Sequence, residues 1–146
     1  MNSVQSRLDA IIGECAELDG REKLELLLDF ASRLPPLSTE QQARKASEDR
    51  RVHECQTPVF LWTETQNDAS RLIAEVAPEA PTVMGFVAIL TEAIEGRPPE
   101  EVLSLPDVIL ERMGLAEVLG ILRTRGLRAI VGHVKRSIVR GMAGES

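Results

Sequence analysis

Residues 58–76, PVFLWTETQNDASRLIAEV, decide the fold class. Residues 58–65 are rich in aromatic and β-branched side chains and read as a strand. Gln66-Asn67-Asp68 supplies turn chemistry, because Asn and Asp tolerate left-handed backbone and bond to their own main chain. A second strand follows, with Leu72, Ala74 and Val76 on one face and Arg71 and Glu75 on the other, while Ile73 breaks the alternation. Upstream, Val52 to Glu54 offers one more short extended piece, interrupted around Cys55. The expectation is a small antiparallel sheet of two or three strands.

Outside this stretch the periodicity is helical. Val4, Leu8, Ile11, Ile12, Cys15 and Leu18 recur every three or four residues and share one stripe. Asp19, with Glu22 three residues on, forms a capping-box start for a second helix carrying Leu24, Leu27, Leu28, Ala31 and Leu34. Pro35-Pro36 stops that helix, since proline donates no N–H and disfavours helix in the residue before it. The two helices are expected to form an antiparallel pair or a bent hairpin. Residues 38–51, STEQQARKASEDRR, are polar throughout and are expected to run over the surface.

After the sheet, Pro81 opens a helix with Val83, Phe86, Val87, Leu90 and Ile94 on one stripe, ended by Gly96 and Pro98-Pro99. Two short helices are expected next, one from Pro99 and one over about 107–113 that Gly114 closes. The last helix runs from about Thr124 to Arg140, with Leu127, Ile130, Val131, Val134 and Ile138 facing inward. The fold class is therefore α+β, helices packed on a small antiparallel sheet, in one domain over residues 1–146.

Composition narrows the function. The chain has 146 residues, 17 basic against 23 acidic side chains and a net charge of −6, which disfavours nucleic acid as a partner. The charge is uneven: residues 1–111 hold 10 basic and 21 acidic groups, residues 112–146 hold 7 and 2. No apolar run approaches the ~20 residues a membrane span needs. The N-terminal stretch carries acids and lacks a basic start, so no signal peptide is expected and the location is expected to be cytoplasmic. Two cysteines exclude a disulfide scaffold.

With two cysteines, two histidines and no tyrosine, candidate reactive groups are few. Cys15 lies on the apolar stripe of the first helix and reads as a small buried hydrophobe. Cys55 sits in His53-Glu54-Cys55-Gln56-Thr57-Pro58 between extended pieces, where a loop tip would expose it. On a strand, His53 would point the same way as Cys55, which leaves a Cys–His dyad open. His133, between Val131 and Val134, reads as a partly buried structural histidine. A zinc site would need Cys15, His53, Cys55 and His133 together, without any CxxC or HxxxH pair, so no metal is expected. A lone accessible thiolate also suits the acceptance and onward transfer of a sulfur atom, with no neighbouring cysteine to collapse it to a disulfide. Arg50 and Arg51 would lower the pKa of Cys55 and Glu54 would raise it. Trp62, the only tryptophan, is expected to pack in the core.

From about Leu24 to Ile138 the chain resembles the SufE/CsdE family of sulfur acceptors for cysteine desulfurases. The resemblance rests on Leu34-Pro35-Pro36-Leu37, on Val52-His53-Glu54-Cys55-Gln56-Thr57-Pro58-Val59, on Val83-Met84-Gly85, on Gly96-Arg97-Pro98-Pro99-Glu100-Glu101-Val102, and on Met113-Gly114-Leu115 followed by Arg123-Thr124-Arg125-Gly126-Leu127. It implies an α+β domain whose cysteine, here Cys55, takes persulfide sulfur from a desulfurase and passes it to an iron–sulfur cluster scaffold. The desulfurase brings pyridoxal phosphate, and no cofactor is implied for this chain. Arg123 matches the family's arginine near the cysteine loop and Glu79 falls where the family often has an acid before the central helix; with His53 and Gln56, beside Cys55, they are the expected partner-binding or supporting residues. The resemblance also implies a thiol shielded in an apolar hollow. Three departures stand out: Glu54 where the family has glycine, Pro78-Glu79-Ala80 in place of a Ser-Asp-Ala stretch, and Arg125 in place of asparagine. The first of these motivates an alternative, an activator that binds a desulfurase without carrying sulfur. A thiol enzyme built on Cys55 and His53 is the third class.

Overall fold

The computed structural model describes residues 2–144. Its elements are α1 (Val4–Ala16), α2 (Gly20–Ala31), α3 (Thr39–Ser47), β1 (Val59–Gln66), β2 (Ala69–Val76), α4 (Pro81–Ile94), α5 (Pro99–Leu103), α6 (Ile109–Met113), α7 (Ala116–Leu119) and α8 (Ile121–Met142). Ser3, Asp19 and Ser38 each cap a helix: the side chain accepts from the N–H three residues on, and that residue's side chain bonds back to the cap N–H. Two donors that helix geometry orphans are thereby satisfied at each start. Pro81 and Pro99 take first-turn positions, where the missing N–H loses no helical bond.

The hairpin follows the alternation. β1 pairs antiparallel with β2 from Val59↔Val76 to Gln66↔Ala69. Asn67 (φ 53°) and Asp68 (φ 62°) form the two-residue loop in left-handed backbone, whose twist matches that of the strands. The extended piece expected at Val52 to Glu54 is not a third strand: 53–54 form a turn, and an isolated bridge joins Arg51 to Phe60 just before it. There the Leu61 N–H donates to the Arg50 carbonyl at 2.9 Å, and the Val52 N–H donates to the Val59 carbonyl at 2.8 Å.

Val59, Leu61, Leu72, Ala74 and Val76 turn one face of the sheet into the main apolar cluster. The centre of that cluster is α4. Nine of its fourteen residues are buried, so it has no broad solvent face and is enclosed by α2, β2, α1 and α8. α8 lies against β1 through Leu127, Ile130, Val131, Val134 and Ile138, and Ser137 Oγ accepts from the Thr63 N–H at 2.9 Å. α1 and α2 each pack on α4 more than on one another.

The outer sheet face is built differently. Trp62 pairs with Ile73 there, and both are buried but stand outside the main cluster. α3 covers this face with charge. The Arg44 guanidinium lies 5.9 Å and the Arg50 guanidinium 5.6 Å from the Trp62 ring centre, and Lys45 Nζ lies 4.8 Å from that of Phe60. Arg44 also pairs with Glu64 at 2.8 Å and Lys45 with Glu75. The polar run 38–51 lies on the surface as expected, and residues 39–47 of it form a helix that the lack of an apolar stripe concealed. Its Ser38/Gln41 cap starts it, and cations stacked on aromatics hold it in place of an apolar stripe. Trp62 packs under this polar cover and not in the central core. Two further differences are the one-turn α7 and the start of α8 at Ile121, just after Gly120 at φ 84°.

α2 approaches α4 most closely at Gly85. A Cβ there would stand 2.1 Å from the Leu27 carbonyl oxygen and 2.7 Å from its carbon, both backbone atoms that cannot rotate away. Gly85→Ala should lower the unfolding free energy by about 1–3 kcal/mol or more, as overpacking does, and shift the urea midpoint down. An unchanged midpoint would show that the two backbones do not meet there.

Candidate functional site

Cys55 is set by a turn. Its N–H donates to the Val52 carbonyl at 3.2 Å, so the chain reverses at 53–54 directly after the edge piece that guards β1. The turn carries the thiol inward. Cys55 is 6% exposed, and its Sγ donates to the Gly126 carbonyl of α8 at 3.3 Å. The expected exposure at a loop tip is thus overturned, because the turn docks onto a helix surface. Gly126 makes the seat possible: a Cβ there would lie 3.2 Å from Sγ, and its three nearest atoms all belong to Cys55.

A pocket of ≈ 380 Å³ opens over the thiol. Glu54, Gln56 and Thr57 form one wall, Val83 at the start of α4 the floor, and Leu122, Arg123, Arg125 and Gly126 the other wall. Arg123 and Arg125 are exposed, and among the described residues neither forms an ion pair. Leu122 in this lining is 68% exposed, and its chain neighbour Ile121, outside the lining, is 77% exposed.

Electrostatics keep the thiol protonated. Burial raises its pKa first, the Glu54 carboxylate adds to this, and Arg51 opposes both, leaving it at about 11. Arg51 and Glu54 act in the expected senses. Arg50 does not reach the thiol: it stacks on Trp62 and pairs with Glu48.

The remaining candidates are placed plainly. Gln56 and Arg123 line the pocket with Cys55. Glu79 is exposed in the turn ahead of α4 and does not line it. His53 does not either: its Nε2 lies 2.7 Å from Asp49 Oδ2, with both groups exposed. The same-face argument fails because residues 53–54 are a turn, not a strand, so no Cys55–His53 dyad is assembled. His133 is half-buried on α8, its pKa lowered by burial and by Arg136. Cys15 is fully buried, its thiol 3.6 Å from the Met113 carbonyl. Among the described residues no group of three or more His, Cys, Asp or Glu is arranged to hold a metal ion. Val83 and Gly126 enter the sequence reading only as stripe and motif residues, not as parts of the site, and Leu122 does not enter it; a glycine inside an apolar-periodic helix was the available signal for Gly126.

Comparison with known proteins places this geometry in context. Residues 9–138 match the family model described as SufE, Fe-S metabolism associated domain. A SufE-like protein of Mycobacterium tuberculosis is 35% identical over 137 residues, covering 93% of this chain and 94% of its own. One from Rhizobium etli is 31% identical over 132 residues, covering 88% and 86%. The solution structure of a hypothetical protein from Thermus thermophilus superposes with a TM-score of 0.80 at 32% identity, covering 94% of this chain and 96% of that one.

The raised pKa makes a solution expectation. In the free protein, alkylation of Cys55 should climb about tenfold per pH unit and level only near pH 11, well above the ordinary thiol value of 9.0. Levelling at or below pH 9, read by peptide-resolved mass spectrometry, would show a thiol that does not rest in this pocket.

Proposed function

The chain belongs to the SufE family, and from that premise we propose that it accepts sulfur on Cys55 from a cysteine desulfurase and carries it to an iron–sulfur cluster scaffold. The observation that supports this most directly is the placement of Cys55 in one pocket with the exposed Leu122 and with two arginines that form no ion pair among the described residues. The chemistry balances without oxidant or reductant. The Cys55 thiolate attacks the terminal sulfur of the desulfurase cysteine persulfide; the new S–S bond forms at Cys55 as the old one breaks, and the desulfurase leaves as a thiolate. The same exchange in reverse roles hands the sulfur to the scaffold. The proton on Cys55 must be given up before attack, and a pocket that holds it against a carbonyl delays this until the loop is drawn out. The persulfide itself is made on the desulfurase with pyridoxal phosphate, so this chain's part is to present one sulfur nucleophile. Such transfer belongs in the cytoplasm. No helix of the described residues is long and apolar enough to cross a membrane.

Arg123 and Arg125 supply positive charge around the thiol, suited to an acidic rim on the partner and to the developing thiolate. The near-complete burial of Cys55 favours a second reading, an adaptor that stimulates the desulfurase by docking alone. Intact-protein mass spectrometry after incubation with a cysteine desulfurase and free cysteine, without reductant, separates the two. Wild type and Cys15→Ser should each gain the mass of one sulfur atom, and Cys55→Ser should gain none. A wild type that binds the desulfurase, stimulates it and gains nothing would overturn the carrier reading in favour of the adaptor.

A further inference from the structure

We propose that Gly126 is a positioning residue whose missing side chain and backbone carbonyl together hold Cys55 in its stored, inward state. The inference rests on the sulfur-acceptor reading and deepens it by naming what governs access to the acceptor thiol.

Three observations carry it. The only hydrogen-bond partner of Sγ among the described residues is the Gly126 carbonyl, at 3.3 Å. A Cβ on Gly126 would meet that same sulfur at 3.2 Å, inside the ordinary contact distance of about 3.5–4.0 Å. The two sides of the contact are also unequally anchored. α8 is fixed by Leu127, Ile130, Val131, Val134 and Ile138, all buried, whereas the turn presents His53, Glu54 and Gln56 to solvent. A methyl group at 126 therefore displaces the thiol and not the helix. Alanine also favours helix over glycine, so α8 keeps its form.

The test is the rate of Cys55 alkylation in the free protein, resolved from Cys15 by peptide mapping, for wild type, Gly126→Ala and Gly132→Ala. Gly132 lies on the same helix, and its Cβ would meet only the flexible end of Arg136 within tight contact, at 3.3 Å. Gly126→Ala should accelerate alkylation at neutral pH at least tenfold, towards a ceiling of about 100-fold, and move the levelling of the pH profile down from about 11 towards 9.0. Gly132→Ala should change neither. Equal acceleration in both variants, or an unchanged profile in Gly126→Ala, overturns the proposal.

A stability cycle keeps it falsifiable if Gly126→Ala folds poorly. The loss caused by Gly126→Ala should shrink in a Cys55→Ala background, which removes the sulfur; the same loss in both backgrounds would place the clash elsewhere. No desulfurase enters either measurement. Failure of the sulfur-acceptor reading would leave both results standing, and failure of the gate would leave persulfide loading untouched.

Discussion

A helix with no broad face for water imposes the order on this molecule. α4 is buried along nine of its fourteen residues, and burial of that kind requires neighbours on several sides. The hairpin supplies one through its aliphatic face, α2 another by a backbone approach that only Gly85 permits, and α1 and α8 close the rest. α8 is held at the angle that lays it along β1, and so Gly126 comes to face the turn that precedes β1. The Cys55 pocket is a by-product of enclosing α4: its floor, Val83, is the first buried residue of that helix.

What the sequence made legible, and what it did not, follows from the range of the interactions. The strands were readable because a two-residue alternation and an Asn-Asp turn are local signals, and α4 because its apolar content is dense. α3 was not, since it has no buried residue and hence no stripe, although Ser38 and Gln41 already spelled a capping box. Its anchors are cations over Trp62 and Phe60, a kind of contact that hydrophobic periodicity cannot register. Cys55 shows the limit most clearly. Its neighbours in the chain argue for an exposed loop tip, while the seat that buries it lies 71 residues further along. His53 fails for the opposite reason, a local rule applied where the backbone had already turned.

The pocket reconciles two needs that pull against each other. A sulfur nucleophile must ionise to react, and a stored one must not. Burial and Glu54 hold the thiol neutral, while Arg51 favours the charged form. Glu54, the residue before the cysteine, is engaged with Arg136 at 3.8 Å on the side of α8. Both groups are exposed, so the pair is weak, and it leaves the turn free to be drawn outward.

The Arg50–Val52 segment does double duty. It is the last piece of chain before the cysteine turn, and it bonds the Val59 carbonyl and the Leu61 N–H of β1. Further along the strand, Ser137 of α8 takes the Thr63 N–H. Any excursion of the turn therefore has a natural stopping point at Val52, where the next bond to yield would uncover β1 itself. Beyond it, the Val59 carbonyl and the Leu61 N–H would lie open to another strand, the hazard that any uncovered sheet edge carries.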